Sequence, residues 1–228
     1  EPYIVQTPDH HYSTSSVIAI ENTTNRGGGN FYSLAALKEL RGLANENGMK
    51  IHCDGARLFH AVVEAGYSAA EFAAHCDSVC FCFSKGLGCP VGSVLAGTKD
   101  TIHEAHRFRK MLGGGMRQAG VLAAAANYAL DNHIERLRDD HRRAREFRAA
   151  IEGLPGVRFP FPTPTNIVIF EVPDVLSFIG SAGSAGVLTI PMGGNRVRAV
   201  FHLDIDDAML AHAIKAVRNA VAKSPAHA

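Results

Sequence analysis

Three residues in this chain have side chains suited to covalent chemistry on a carbonyl group and sit where such chemistry could be arranged. Lys85 lies in the run Phe83-Ser84-Lys85-Gly86-Leu87-Gly88, and Asp54 and Arg57 lie in Ile51-His52-Cys53-Asp54-Gly55-Ala56-Arg57. An amine attacks an aldehyde to form a Schiff base. A carboxylate keeps a facing ring nitrogen protonated, and a guanidinium binds a carboxylate or phenolate through its rigid fork. Small glycines beside the lysine let a flat ring approach the backbone. Taken singly, Asp-Gly is a common turn pair and a lysine after a strand is an ordinary exposed charge. Taken together, at two glycine-punctuated strand ends, they read as one site; such a trio could serve many ends, and the chemistry of pyridoxal phosphate is one that needs all three types.

The elements that must position these residues are legible from periodicity. Val17 to Ile20, Met49 to Cys53, Val79 to Phe83 and Val91 to Ala96 read as strands. Between them, Leu34, Leu37, Leu40 and Leu43 recur at helical spacing behind the cap candidate Ser33, and helical stretches follow Arg57 and cover Ala69 to His75. A helix around Ile102 to Leu112 ends at Gly113-Gly114-Gly115. A long alanine-rich helical region from Ala119 to about Glu152 is expected to kink near Asn132, with its charged half, Glu135 to Arg148, facing solvent. Prolines 160, 162 and 164 mark a change of organisation. Strands at Ile167 to Val172 and Arg196 to Leu203 and a helix from Asp206 to Ala222 follow. Alternation of strands and helices predicts an α/β fold with a mostly parallel sheet, followed by a smaller α+β unit. The boundary is placed between residues 137 and 138. In open parallel sheets ligands gather at the carboxyl ends of strands, where Asp54 and Lys85 lie.

Composition narrows the function classes. The formal net charge of +1 offers no electrostatic footprint for nucleic acid or an anionic membrane. No apolar run approaches the roughly 20 residues of a membrane span. Five cysteines in 228 residues argue for a reducing cytosol rather than a disulfide scaffold. Cys76, Cys80 and Cys82 lack the paired spacing of a zinc site and read as small buried hydrophobes, so no metal is expected. The glycine loops do not form a GxGxxG turn that follows a strand and opens a helix, which argues against a dinucleotide site.

Several stretches in order resemble the low-specificity L-threonine aldolase family of fold-type I pyridoxal phosphate enzymes, in the β-eliminating lyase group. They are the Asp54 and Lys85 runs with Pro90-Val91-Gly92-Ser93, the run Arg109 to Gly120, Ile20-Glu21-Asn22-Thr23 with Gly28-Gly29, and Val197 to Asp204. The resemblance covers nearly the whole chain. It implies a fold-type I large domain, incomplete here, and a smaller C-terminal domain. It implies that Lys85 carries pyridoxal 5'-phosphate, Asp54 pairs with the pyridine nitrogen, and Arg57 sits by the cofactor phenolate and the substrate carboxylate. Arg198 would clamp that carboxylate, and His11 would assist deprotonation of the substrate hydroxyl. Lys110 and Arg117 would flank the site or that of a neighbouring subunit. The implied reaction cleaves threonine or a related β-hydroxy-α-amino acid to glycine and an aldehyde, in a cytoplasmic homo-oligomer, a dimer or tetramer.

The family's phosphate-binding turn and ring-stacking histidine have no counterpart in this sequence. The expectation is therefore of an N-terminally truncated member that binds the cofactor poorly alone. Two other readings stay open: another pyridoxal phosphate enzyme, such as a β-eliminating lyase or aminotransferase, and a non-catalytic remnant of such an enzyme.

Overall fold

The computed structural model describes residues 3–223. Its first sheet has four strands in the order β1 (Val17–Glu21), β2 (Lys50–Asp54), β3 (Ser78–Cys82) and β4 (Ser93–Gly97). β1, β2 and β3 run parallel, with Glu21 opposite Asp54 and Asp54 opposite Cys80. β4 runs antiparallel to β3, so the connection through residues 83–92 is a hairpin-like loop. Parallel neighbours need crossovers, and helices supply them. They are α1 (Leu34–Glu46) between β1 and β2, then α2 (Leu58–Ala65) and α3 (Ala69–Ala73) between β2 and β3. Ser33 caps α1, its side chain accepting from the Ala36 N–H. α2 stops at Gly66, which takes the left-handed conformation that glycine adopts without strain. Ile20, Leu37, Ile51, Cys53, Leu58, Phe72 and Val79 fill the core beneath this sheet.

After β4 come α4 (Lys99–Met111) and α5 (Gly120–Asn132). The expected long helical region is two helices. α5 ends at Asn132, and α6 (Leu137–Ile151) starts after the turn through residues 133–136. The charged helix also has a buried side, contrary to expectation: Leu137, Asp140, His141, Ala144, Phe147 and Ile151 all face inward. Their spacing traces one stripe of an α-helix, and two polar members hid it in the sequence.

The C-terminal sheet has the order β5 (Ile167–Glu171), β7 (Arg196–Val200), β6 (Ile190–Pro191), and every pair is antiparallel. α6, α7 (Val175–Ser184) and α8 (Asp207–Lys223) cover it. The sequence reading did not include α7 and β6. Gly180, Gly183 and three serines give α7 poor helix propensity; Asp174 caps it, and burial of Phe178 and Ala182 holds it in place. Phe170 meets Phe178 edge-on at 5.5 Å between centroids in a core with Phe147, Val168, Val197, Leu210 and Val217. Among the described residues no helix is long and apolar enough to cross a membrane.

Two contacts tie the sheets together near Lys85. Thr165 Oγ1 donates to the Gly29 carbonyl at 2.8 Å. Gly29 has φ +80°, and a Cβ there would overlap Thr165 Oγ1, so both its conformation and this close approach require glycine. Arg198, on the middle strand of the second sheet, donates to Asn25 Oδ1 in the loop after β1.

Candidate active site

Asp54 is the last residue of β2, and its carboxylate accepts from the Ala56 N–H at 3.1 Å. Gly55 then packs against β3: its N–H donates to the Cys80 carbonyl at 2.7 Å, and an added Cβ would stand 2.7 Å from that oxygen. A larger residue would push the turn off β3, so the Asp-Gly pair is a packing requirement as well as a turn signal. Arg57 precedes the first turn of α2 and is half-buried.

Lys85 lies three residues past the end of β3, at the same edge of the sheet as Asp54. Its loop is tightly bonded. Phe83 N–H donates to Gly92 O at 2.9 Å, Cys89 N–H to Phe83 O at 3.0 Å, and Gly88 N–H to Lys85 O at 2.9 Å. Gly88, at φ +71°, closes that last turn in a conformation an L side chain rarely takes. Behind the loop His133 Nδ1 lies 2.6 Å from Leu87 O, which only accepts, so this nitrogen carries the proton. Lys85 itself is exposed.

Arg57, before α2, and Arg198, on the C-terminal sheet, feel each other's charge. Burial is the main cause lowering the Arg57 pKa, and the nearby positive Arg198 lowers it further, opposed by Glu21, Cys82 and Asp54. Arg198 Nε is buried without a hydrogen-bond partner. Two guanidiniums within electrostatic reach of each other, one with an unmet N–H, form a donor set that suits an anion. A cavity of about 310 Å³ lies between the Lys85 turn and the C-terminal unit, lined by Arg57, Ser84, Lys85, Asn166 and His202 among others; Asp54 and Arg198 are not in its lining.

A larger cavity, about 630 Å³, lies between β7 and α8, lined mainly by apolar residues such as Leu188, Phe201 and Met209. It touches none of Asp54, Arg57, Lys85 and Arg198, whereas the smaller cavity is lined by Arg57 and Lys85 and is the candidate site.

The remaining sequence-predicted residues are placed elsewhere. His11 sits in an exposed turn with Nδ1 2.8 Å from Asp9 Oδ1, and the His10 ring lies beside it, tilted, at 4.1 Å between centroids. Lys110 is exposed at the end of α4, and Arg117 is exposed in the segment that follows. Asp9, His10 and His11 are the one trio of possible metal-ligand residues clustered among those described, and all are exposed. The cysteines are free. Burial raises the thiol pKa of Cys53 strongly, of Cys76 to about 11, and of Cys80 and Cys89 as well.

Sequence reasoning missed Asn166 and Asn25. Asn166 lines the cavity, donates to Phe201 O at 2.9 Å and keeps a buried Oδ1 without a partner. It also missed His133, and His60, which lies only three residues beyond Arg57 on an otherwise apolar helix face; that spacing was the available signal.

The chain was compared with known proteins. The β-eliminating lyase family profile matches residues 2–174. A probable low-specificity L-threonine aldolase 2 of Arabidopsis thaliana is 38% identical over 205 residues, covering 87% of this chain and 58% of that protein. A low specificity L-threonine aldolase of Escherichia coli K12 is 46% identical over 137 residues, covering 60% of this chain and 40% of the other. Among solved structures, a threonine aldolase of Leishmania major superposes with a TM-score of 0.79 at 19% identity, over 93% of this chain and 63% of that one. The latter likeness shows the fold alone. The chain spans 58% and 40% of the two curated relatives' lengths. With its α/β architecture matched and the family profile running through both the Asp54 and the Lys85 turns, the chain belongs to the β-eliminating lyase family.

Proposed function

We propose that the protein cleaves threonine or a related β-hydroxy-α-amino acid to glycine and an aldehyde, using pyridoxal phosphate, the cofactor of its family. One observation carries this reading. Asp54 and Lys85 leave neighbouring parallel strands at one edge, with the guanidinium of Arg57 close to that of Arg198 beside them. The donor set fits the cofactor ring: an amine for its aldehyde, a carboxylate for its nitrogen, and an arginine for its phenolate.

When bound, the cofactor supplies an electron-withdrawing ring that takes up the electron pair released as the Cα–Cβ bond breaks. Lys85 would be the amine that holds the cofactor by its aldehyde carbon. Asp54 keeps a proton on the facing ring nitrogen. Arg57 and Arg198 grip the substrate's α-carboxylate, and the unmet N–H of Arg198 is satisfied when they do. Fixing the carboxylate orients the scissile bond and raises effective concentration at the reacting atoms. His11 would take the β-hydroxyl proton, a role that requires its exposed turn, outside the cavity lining, to reach the substrate. Asp9 commits its Nδ1–H, which leaves Nε2 as the accepting nitrogen.

The large domain runs to residue 137 and the small domain from 138, and the location is cytoplasmic, in keeping with the free cysteines. A second copy covers the exposed face carrying Phe108, Met111, Leu112, Met116 and Val121, and brings Lys110 and Arg117 toward its neighbour's site.

The test is direct. The chain is incubated with pyridoxal phosphate, reduced with borohydride, digested and analysed by mass spectrometry. With cofactor in large excess, to offset the weak binding expected without the family's phosphate-binding turn, a pyridoxyl group on the Lys85 peptide is expected, and none in Lys85→Ala. Threonine and phenylserine should release acetaldehyde and benzaldehyde. Adducts scattered over the exposed lysines, with none favoured at Lys85, would sink the reading. Light scattering tests the assembly: a monomer at micromolar concentration refutes it.

A further inference from the structure

Two interior histidines remain without a role. His60 on α2 is 1% exposed and His141 on α6 is fully buried. His60 Nδ1 lies 2.9 Å from His141 Nε2, and His141 Nδ1 lies 2.8 Å from Glu64 Oε2. Arg145 donates to the other Glu64 oxygen at 3.0 Å. This chain of contacts starts at the surface and ends inside, at His60 Nε2, which has no hydrogen-bond partner.

The tautomers follow from the order of the groups. An ionised carboxylate only accepts, so His141 Nδ1 carries a proton. Burial lowers the pKa of both imidazoles and keeps them neutral. A neutral imidazole has one N–H, so His141 Nε2 is a lone pair and accepts from His60 Nδ1–H. His60 Nε2 is then a lone pair too.

That bare nitrogen faces Gly86, the residue after Lys85. A Cβ built on Gly86 would overlap Nε2. Gly86 is not in a left-handed conformation, so the imidazole itself is what excludes a side chain there. Nε2 without a hydrogen lets the Gly86 backbone settle onto the ring, whereas an Nε2–H would add an atom to the same gap. Two histidines therefore back adjacent residues of one turn: His60 at Gly86, and His133 at Leu87.

We propose that His60 is a positioning residue for Lys85, acting through Gly86, with Glu64 and Arg145 fixing its tautomer through His141. The functional meaning rests on the reading of Lys85 as the cofactor's amine; the positioning itself is tested without cofactor. In chain whose lysines are reductively methylated with ¹³C-formaldehyde, each dimethylamine gives an NMR signal, and Lys85→Arg assigns the one of interest.

His60→Ala and Gly86→Ala should each shift the Lys85 signal while those of Lys38, Lys99 and Lys215 stay in place. The double variant should be non-additive, because without the ring a Cβ at position 86 fits; Gly86→Ala should then lower the melting temperature far less than it does beside His60. His60→Gln, which returns an acceptor, should bring the signal back toward its original position. Should His60→Ala fail to fold, Glu64→Ala leaves both rings in place and should still shift the Lys85 signal through the tautomer relay. An unmoved Lys85 signal in whichever of these variants folds, or strict additivity of the two single changes, overturns the proposal and leaves His60 as core packing. Borohydride trapping on the unaltered chain is read separately. Its failure removes the cofactor role of Lys85 and leaves the NMR cycle standing or falling alone.

Discussion

In β5 every residue from Ile167 to Phe170 is buried, whereas in β4 all five residues are exposed. The two strands belong to sheets that do different work. The C-terminal sheet is covered by three helices around one aromatic and aliphatic core. The N-terminal sheet has a good core under β1 to β3, thins out toward β4 and α4, and carries the reactive residues at its edge. The rigid unit contributes a single guanidinium, Arg198, from its middle strand. Packing is thus denser in one region, and the residues proposed for the chemistry lie mostly in the other, with polar contacts joining the two. Reactive side chains must stay accessible, so the region that holds them cannot be packed like the region that backs them.

The largest expected effect tests the dense side of this contrast. Phe170→Ala removes a fully buried ring and should cost about 3–5 kcal/mol of stability, read from the denaturant midpoint. The pyridoxyl adduct on Lys85 should persist below the new melting temperature. Simultaneous loss of adduct and stability would show the two regions to be one cooperative unit. Next comes the arginine that crosses between them. Arg198→Lys keeps the charge but loses the fork, and should raise KM for threonine about 10- to 100-fold with a smaller change in kcat. An unchanged KM would remove Arg198 from the carboxylate clamp.

The third effect concerns the histidine pair joining α2 to α6. Burial lowers both pKa values in the folded state, aided for His60 by His141, Arg57 and Arg136 and for His141 by Arg145 and Arg138, while Glu64 opposes the shift. In the unfolded chain the same imidazoles take up protons near their ordinary value of about 6.5. The unfolded state then binds more protons, so stability is full above that pH and falls below it, by at most about 1.4 kcal/mol per pH unit for each histidine. Urea melts between pH 7.5 and 5.5 should show the slope, and His141→Gln should flatten it. The smallest effect is local to the N-terminal unit: Ser33→Ala removes the α1 cap and should cost about 1 kcal/mol. Should it cost nothing, tertiary packing alone holds that helix.

The strands of the first sheet were legible because each carries a short apolar run bounded by turn-forming residues, such as Asn22 after β1 and Gly55 after β2. Asp54 and Lys85 were legible for the same reason, since strand ends in a parallel sheet share an edge. No local pattern brings Arg198 near Arg57, 141 positions away on another unit of the chain; only the family resemblance named the two together. Nor was the buried face of α6 legible, since its inward stripe includes Asp140 and His141 and so reads as polar. α7 was hidden by glycine and serine, whose weak propensity is overridden by the burial of Phe178. Local chemistry was readable from the sequence; contacts made by two distant elements were not.

The cysteines beside the reactive strands have a practical consequence. Alkylation and disulfide exchange proceed through the thiolate, and burial holds Cys53, Cys76, Cys80 and Cys89 in the protonated form at neutral pH. Maleimide labels and atmospheric oxidants should therefore act slowly on these four sulfurs in the folded protein and quickly once it opens. Their rate of modification becomes a clock for unfolding of the strand edge, and it requires no engineered probe.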